Sequence, residues 1–352
     1  MKNIHERSEE WDVEQLRLEA DIRRALLEDV PAGDVHQHFL QFRDACAPAG
    51  QRWWLAASAV AAAAACVLAL VVLSRQQPGE TSPDRQGVTV YAGNTCKEHD
   101  VSLVIGNQTL PVSAPQVSAR GISIDRGGVM HISPTTSVAD EDRTTLLVPQ
   151  GHVVRMVLSD GTRVWLSADS RLVFPSRFPA HQPREVALVG EAFFEVAGDE
   201  SRPFLVNSGR LQTRVLGTVF NVRHYEDLPP RVTLVSGRVC VSTERGDSLL
   251  LESGSEASMD SRGKLVQREA DIDVATSWTR GEFYFDGQTL REIMTEVGRW
   301  YNKRVVFLNS QHLDDRLHFS SERRQPLGRI VRQLSDIGNI RIEIEDDVLR
   351  VF

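Results

Sequence analysis

One apolar stretch, Trp53 to Leu73, interrupts the otherwise mixed pattern of hydrophobic and polar residues along this chain. It contains no charged residue; Arg52 precedes it and Ser74-Arg75 follows it. At a rise of about 1.5 Å per residue, a helix of this length spans roughly 30 Å, the thickness of a bilayer's hydrocarbon core. Residues 53–73 are therefore predicted to form a single transmembrane helix. A buried helix of a soluble domain is the alternative, because alanine contributes little to membrane insertion.

Upstream of this stretch, apolar residues recur at helical spacing between Ser8 and Val30, and a second helix is predicted from Asp34 to Cys46. Residues 1–50 thus read as a short helical head. Two short helices bury little apolar area alone, so the head is either a self-packed hairpin or a module that clasps another protein. The residues of its apolar stripe that would make such a contact are Trp11, Leu18, Ile22 and Leu26.

Downstream, residues 74–87 are rich in Pro, Gly, Ser and charge and are predicted to form a linker. Strand signals then dominate residues 88–275. The strongest is a pair of alternating runs around Asp160-Gly161, a dipeptide that suits the positive φ of a hairpin turn. Many short strands at even spacing predict a β-sandwich or β-roll. Beyond this hairpin, strands are predicted at 88–91, 101–105, 121–124, 184–189, 192–196, 204–207, 211–216, 219–223, 231–235 and 237–242.

Residues 278–352 change pattern again and predict a small α/β domain. Its first helix is expected over residues 289–301, where Thr289 and Glu292 have the spacing of a capping box. The remaining elements are a second helix at 326–337 and strands at 282–285, 304–307, 317–320, 340–344 and 348–351. The predicted fold is therefore multidomain: an α-helical head, one transmembrane helix, an all-β domain and a small α/β domain.

Composition and motif content exclude several classes of function for this 352-residue chain. A net charge of −8 argues against general nucleic-acid binding. Four cysteines are too few for a disulfide scaffold, although Cys96 and Cys240 could form one bridge. The sequence shows no metal-ligand spacing, phosphate-binding loop or nucleophile motif, so we expect neither cofactor nor metal and no conventional enzyme.

One dipeptide remains a candidate for chemistry. Gly217-Thr218 lies between two predicted strands, and the threonine hydroxyl could attack the adjacent glycine carbonyl and break the chain once. A tight glycine turn with a packed threonine explains the same residues without chemistry.

Several ordered motifs across residues 148–259 carry a family resemblance. They resemble the signature series of FecR-type anti-sigma factors, and two later segments resemble the C-terminal part of the Bacteroidetes branch of that family. The motifs are Leu158–Leu166, Val189–Val196, Arg202–Phe204, Val215–Val222, Leu234–Val239 and Leu251–Gly254, with Trp278–Phe285 and Arg299–Asn302 in the later part.

The resemblance implies a single-pass inner-membrane regulator with a cytoplasmic N-terminus and a periplasmic C-terminus. The head would bind an extracytoplasmic-function (ECF) sigma factor. The C-terminal domain looks like the short domain shared by secretins and TonB-dependent transducers, and would dock the periplasmic signalling domain of such an outer-membrane transducer. Its candidate docking residues are Phe283, Phe285, Trp300 and Tyr301.

Two alternatives stand beside this hypothesis. The C-terminal domain could only stabilise the β-domain. The whole chain could instead be a membrane-anchored periplasmic protein that binds glycan or cell-wall material on exposed aromatics of the β-domain, for which Trp165, Phe174 and Phe178 are the candidates.

Overall fold

The computed structural model describes residues 88–91, 100–105, 108–113, 121–133, 143–225, 228–260 and 262–352. The predicted head, membrane span and linker lie outside these residues, as does Cys96. Within the described ranges, none of the helices combines the length and the apolar character needed to cross a bilayer. The described chain is mostly β-sheet with few helices, as the sequence pattern predicts.

The β-domain contains two sheets that share one long strand, β10 (Arg184–Glu195). The order of the first sheet is β3-β2-β6-β9-β10-β11-β12-β15-β16, with β2 Ser102–Ile105, β3 Gln108–Pro111, β6 Arg143–Val148, β9 Ser170–Pro175, β11 Phe204–Ser208, β12 Leu211–Val215, β15 Arg238–Thr243 and β16 Ser248–Glu252. The order of the second is β4-β5-β7-β8-β10-β13-β14-β17-β18, with β4 Ile122–Ile124, β5 Val129–Ile132, β7 Val154–Val157, β8 Arg163–Leu166, β13 Val219–His224, β14 Arg231–Ser236, β17 Ser255–Met259 and β18 Leu265–Glu269.

Strand β10 passes from one sheet to the other at Gly190. Up to Val189 it pairs with β9 and β11, and from Gly190 it pairs with β8 and β13. Gly190 has φ +106°, and a Cβ there would lie 2.2 Å from Ser170 Oγ. Only glycine fits this bend, for conformational and for steric reasons. The sequence pattern predicted two separate strands here, and this division was wrong because the chain bends without leaving the strand.

The predicted hairpin around Asp160-Gly161 is confirmed as β7 and β8. Gly161 has φ +85°, and the Asp160 carboxylate accepts a hydrogen bond from the backbone N–H of Thr162 at 3.0 Å.

The β-domain core contains the aromatic residues that a glycan platform would need on the surface. Phe174 is completely buried, and Trp165 and Phe178 are only 8% and 5% exposed. Trp165 packs edge-on against Phe193, and Phe178 against Phe204. The expectation that these residues form an exposed platform was therefore wrong, because their side chains pack against apolar neighbours.

A short helix, α1 (Ile272–Thr276), separates the β-domain from the C-terminal domain. The latter contains β19 (Glu282–Thr289), α2 (Leu290–Tyr301), β20 (Arg304–Phe307), β21 (Arg316–Glu322), α3 (Leu327–Gly338), β22 (Ile342–Glu345) and β23 (Val348–Val351). The predicted capping box is present, because Thr289 and Glu292 exchange side-chain-to-backbone hydrogen bonds. Strands β19 and β21 pair with each other, whereas β20, β23 and β22 form a second sheet.

The fourth strand of that second sheet comes from the opposite end of the described chain. Strand β1 (Val88–Tyr91) pairs antiparallel with β20, and the order is β1-β20-β23-β22. Residues 88–91 were predicted to belong to the β-domain. The structure places β1 in the C-terminal sheet instead, because its pairing partner is distant in sequence.

Candidate interdomain site

Helix α2 presents charged residues to the β-domain at helical spacing. Glu292, Glu296 and Arg299 are four and three residues apart and share one face of the helix. Glu292 pairs with Arg231 of β14 at 2.9 Å. Leu290, Ile293, Met294 and Val297, on the other side, are completely buried in the C-terminal core. The same helix therefore completes one hydrophobic core and contacts the neighbouring domain through charge.

A group of acids and arginines lies where α2 meets the β-domain, with Glu191, Glu296, Arg299 and Arg323 buried and Asp169 and Arg223 partly exposed. We call it the interdomain charge cluster, and its members are Asp169, Glu191, Arg223, Glu296, Arg299 and Arg323. The first three belong to the β-domain and the last three to the C-terminal domain.

Glu296 is the centre of this cluster. Its carboxylate contacts Arg323 at 2.9 Å, Arg299 at 3.4 Å and Arg223 at 3.6 Å. Burial opposes ionisation of Glu296, but the three guanidinium groups outweigh it and lower the pKa of this carboxyl to about 2. Glu296 is therefore a buried anion that binds cations from both domains.

The pKa of the Glu191 carboxyl shifts in the opposite direction to that of Glu296. Burial raises the pKa of its carboxyl, and the charge of Arg223 opposes this only in part. Its Oε1 accepts a hydrogen bond from the side-chain amide of Asn221 at 2.9 Å. The two buried acids thus differ because Glu296 has three arginine neighbours.

Arg299 links the cluster to two tyrosines. Its guanidinium lies 3.7 Å from the centre of the Tyr225 ring and 5.3 Å from that of Tyr91. Its Nε is 3.8 Å from the carboxylate of Asp169, which also accepts a hydrogen bond from the Tyr91 hydroxyl at 3.4 Å. The β-domain, α2 and strand β1 therefore meet around one arginine.

The four aromatics predicted to dock a partner lie close to the cluster. Phe283 is completely buried, so in this conformation its ring does not reach a surface partner. Phe285, Trp300 and Tyr301 are half-buried and pack on the same core. Arg323 lies over Phe283 and Trp300, and its carbonyl accepts hydrogen bonds from Trp300 and Tyr301. Phe283, Trp300 and Tyr301 therefore hold Arg323 beside Glu296, whereas Phe285 stacks on Phe283. The docking role of all four stays a prediction.

Gly217 and Thr218 occupy the turn between β12 and β13. A Cβ on Gly217 would lie 2.8 Å from the Cα of Gly198, so a close backbone approach requires glycine. The hydroxyl of Thr218 donates a hydrogen bond to the carbonyl of Arg238 at 3.0 Å. This geometry supports the structural interpretation of the motif, and chain cleavage stays a prediction.

A buried ion pair and a disulfide are two further features of the β-domain. Asp160 and Arg184 form an ion pair at 2.8 Å in which both side chains are almost completely buried. Cys240 is disulfide-bonded, and its partner cysteine lies outside the described residues.

Among the described residues, no group of histidine, cysteine and acidic side chains could hold a metal ion.

Comparison with known families matches these two structural parts separately. Residues 144–240 match the model described as FecR protein, and residues 282–351 match the model described as FecR, C-terminal. The chain belongs to the FecR family.

Solved structures agree with this assignment. Two crystal structures of a proposed anti-sigma factor from Parabacteroides distasonis ATCC 8503, at 2.50 Å and 1.65 Å resolution, each match with a TM-score of 0.55 and 25% identity. The matches cover 60% and 59% of this FecR-family chain and 98% of the other chain. A comparison with curated proteins gives no match. Together these findings support a signalling regulator of the anti-sigma type and a role other than that of an enzyme.

The interdomain charge cluster joins the two matched FecR regions, since Glu191 and Arg223 fall in the first and Glu296, Arg299 and Arg323 in the second. Sequence reasoning did not find it. A signal was present, because Glu191 and Arg299 both lie inside the family motifs as charges among apolar residues.

Proposed function

We propose that this FecR-family chain is a single-pass inner-membrane regulator that relays the state of an outer-membrane TonB-dependent transducer to a cytoplasmic ECF sigma factor. Residues 1–50 bind the sigma factor, residues 53–73 cross the membrane, and the described domains lie in the periplasm. The observation that carries the proposal is the joining of both FecR regions by buried charge around Glu296.

This cluster suits a relay because it resists partial rearrangement. Moving α2 away from the β-domain would separate Glu296 from Arg223 and Arg299 from both Asp169 and Tyr225, so these contacts would be lost together. A transducer that binds the C-terminal domain therefore acts on both domains together. The thermodynamic requirement is that the transducer binds one arrangement of the periplasmic part more tightly than the other.

The C-terminal domain is the proposed docking module for the transducer. Support comes from the half-buried aromatics Trp300 and Tyr301, which contact Arg323 and are hence one contact from Glu296. Phe285 stacks on Phe283, over which Arg323 lies. A partner that shifts these rings would disturb the position of Arg323 and so the charge cluster.

The test uses the full chain with a C-terminal affinity tag, extracted from membranes in mild detergent. We expect an ECF sigma factor to co-purify with it. Replacing Trp11, Leu18, Ile22 and Leu26 together by alanine should abolish co-purification, because these residues form the predicted contact stripe. A matched control, Glu14→Ala with Arg17→Ala, changes polar positions of the same segment and should retain the sigma factor. Loss in both variants, or retention in both, would contradict the proposed role of the head.

A further inference from the structure

Strand β1 connects the predicted membrane linker to the C-terminal sheet, although the β-domain follows it in sequence. It comes directly after residues 74–87 and pairs with β20. Its partners are Phe307 for Val88, Val306 for Thr89 and Val305 for Tyr91. The chain that leads from the predicted span is therefore held by the C-terminal domain, which is also the proposed docking module.

The strand is weakly anchored. It is four residues long, it lies at the edge of the sheet, and its pairing is irregular between Thr89 and Tyr91. Val88 is 40% exposed, and Tyr91 is its single buried residue. By contrast, β23 pairs on both sides and buries Leu349 and Val351. Elements with few buried contacts open at a lower free-energy cost than the core.

Tyr91 supplies most of the specific contact that holds β1. Its ring packs against α2 at Gly298, where an added Cβ would lie 3.0 Å from the tyrosine Cδ1. Its hydroxyl reaches Asp169 of the β-domain, and Arg299 lies over its ring. The attachment of β1 therefore depends on the same Asp169–Arg299 contact that joins the two domains.

We propose that β1 is a detachable edge strand, and that its release from β20 is the step by which a change in the C-terminal domain reaches the segment leading to the membrane. This inference rests on the proposed regulatory function and identifies the moving element. A transducer that shifts α2 or Arg299 weakens the contacts that hold Tyr91, and β1 then separates from the sheet.

The first test measures hydrogen–deuterium exchange of the full chain in detergent. We expect the amides of β1 to exchange at least roughly 100-fold faster than those of β23, in keeping with the spread of local opening free energies within one protein. Exchange of β1 as slow as that of β23 would overturn the proposal. This measurement needs no variant and no identified ligand.

The second test uses a promoter dependent on the ECF sigma factor in cells that produce the full chain. Tyr91→Ala should shift basal output at least about fivefold from wild type, the lower end of usual coupling between sites. A disulfide between Thr89→Cys and Val306→Cys, added to Tyr91→Ala, should return output towards wild type, because antiparallel partners lie roughly 4.5–5.5 Å apart, within disulfide range.

The matched control is the pair Glu343→Cys and Arg350→Cys, which links β22 to β23 at the other edge of the sheet. It should leave the Tyr91→Ala output unchanged. Output that neither Tyr91→Ala nor the 89–306 bridge alters would refute the switching role of β1. Deletion of the whole chain distinguishes failure of the β1 proposal from failure of the proposed function. If deletion leaves the output unchanged, the chain does not regulate that sigma factor.

Discussion

The guanidinium of Arg299 lies 3.7 Å from the ring centre of Tyr225, so a C-terminal-domain cation is stacked on a β-domain aromatic. Both side chains are almost completely buried, and the Tyr225 hydroxyl donates to the carbonyl of Ala168 at 2.8 Å. Burial also raises the pKa of the Tyr225 phenol, so the ring stays neutral beneath the cation. This contact is buried between the two domains, so a change in their arrangement would have to break it.

Removal of the Glu296 carboxylate tests the energy of that junction. Glu296→Ala leaves Arg223, Arg299 and Arg323 without their shared anion. We expect the free energy of unfolding to fall by about 3–5 kcal/mol, the usual cost of breaking a buried ion pair from one side. Chemical denaturation of the full chain in detergent measures it. Asp347→Ala removes an exposed partner of Lys303 and should change nothing measurable; equal effects of the two substitutions would contradict a central role for Glu296.

Acid should weaken the junction through the same residue. The folded pKa of Glu296 is about 2, below its ordinary value of 4.5, so its contribution is complete above 4.5 and is lost as the pH falls from there towards 2. Denaturation curves recorded across this range should show a steeper acid limb for the wild type than for Glu296→Gln. Parallel limbs would show that Glu296 is not a stabilising anion.

Glu191 should give the opposite pH dependence. Because its pKa is raised in the folded protein, its contribution is present at low pH and is lost as the pH rises through the folded pKa. Glu191→Gln keeps an acceptor for Asn221 and removes the buried charge. The gain in unfolding free energy of this variant over wild type should therefore increase as the pH rises above 4.5, the ordinary pKa of a glutamate. A gain that shrinks with pH would mean that Arg223 dominates the environment of Glu191.

The ion pair between Asp160 and Arg184 should contribute far more to stability than the exposed pair of Glu322 and Arg324. Asp160→Ala leaves a buried guanidinium without its carboxylate and removes the turn bonds to Thr162, so we expect a loss of about 3–5 kcal/mol. Arg324→Ala breaks an ion pair with Glu322 whose two side chains are 81% and 50% exposed, and it should cost about 1 kcal/mol or less. Unfolding curves of the two variants show whether the loss of unfolding free energy depends on the burial of the ion pair.

The Gly217-Thr218 motif should behave as a packing feature. Gly217→Ala forces a Cβ against the backbone of Gly198 and should cost about 1–3 kcal/mol. Thr218→Ala removes one hydrogen bond to Arg238 and should cost about 1–2 kcal/mol. On a denaturing gel, we expect wild type and Thr218→Ala to run as one full-length band. Two fragments in the wild type that disappear in Thr218→Ala would establish self-cleavage.

Local patterns predicted the local elements of this fold. The turn at Asp160-Gly161 and the capping box of Thr289 and Glu292 depend on residues a few positions apart, and both are confirmed. Strands with weaker alternation were missed, and they are β3, β5, β6, β9, β16, β17 and β18.

Contacts between residues far apart in sequence could not be predicted from local patterns. The pairing of Val88 with Phe307 leaves no trace in the hydrophobic pattern of either strand. The charge cluster contains residues of strands and a helix far apart in sequence, and the apolar neighbours of Glu191 and Arg299 in the sequence do not show which charged partners they meet. Only the packing of the two domains shows that these charges are buried together.

The most direct test of the relay is the topology of the full chain in the membrane. Spheroplasts that produce the chain with an N-terminal epitope would be treated with external protease, and membranes would be washed with alkaline carbonate. We predict that residues 88–352 are digested while the epitope stays protected, and that the intact chain remains in the membrane pellet. An intact chain released into the supernatant, or an epitope digested without lysis, would contradict signalling across the membrane.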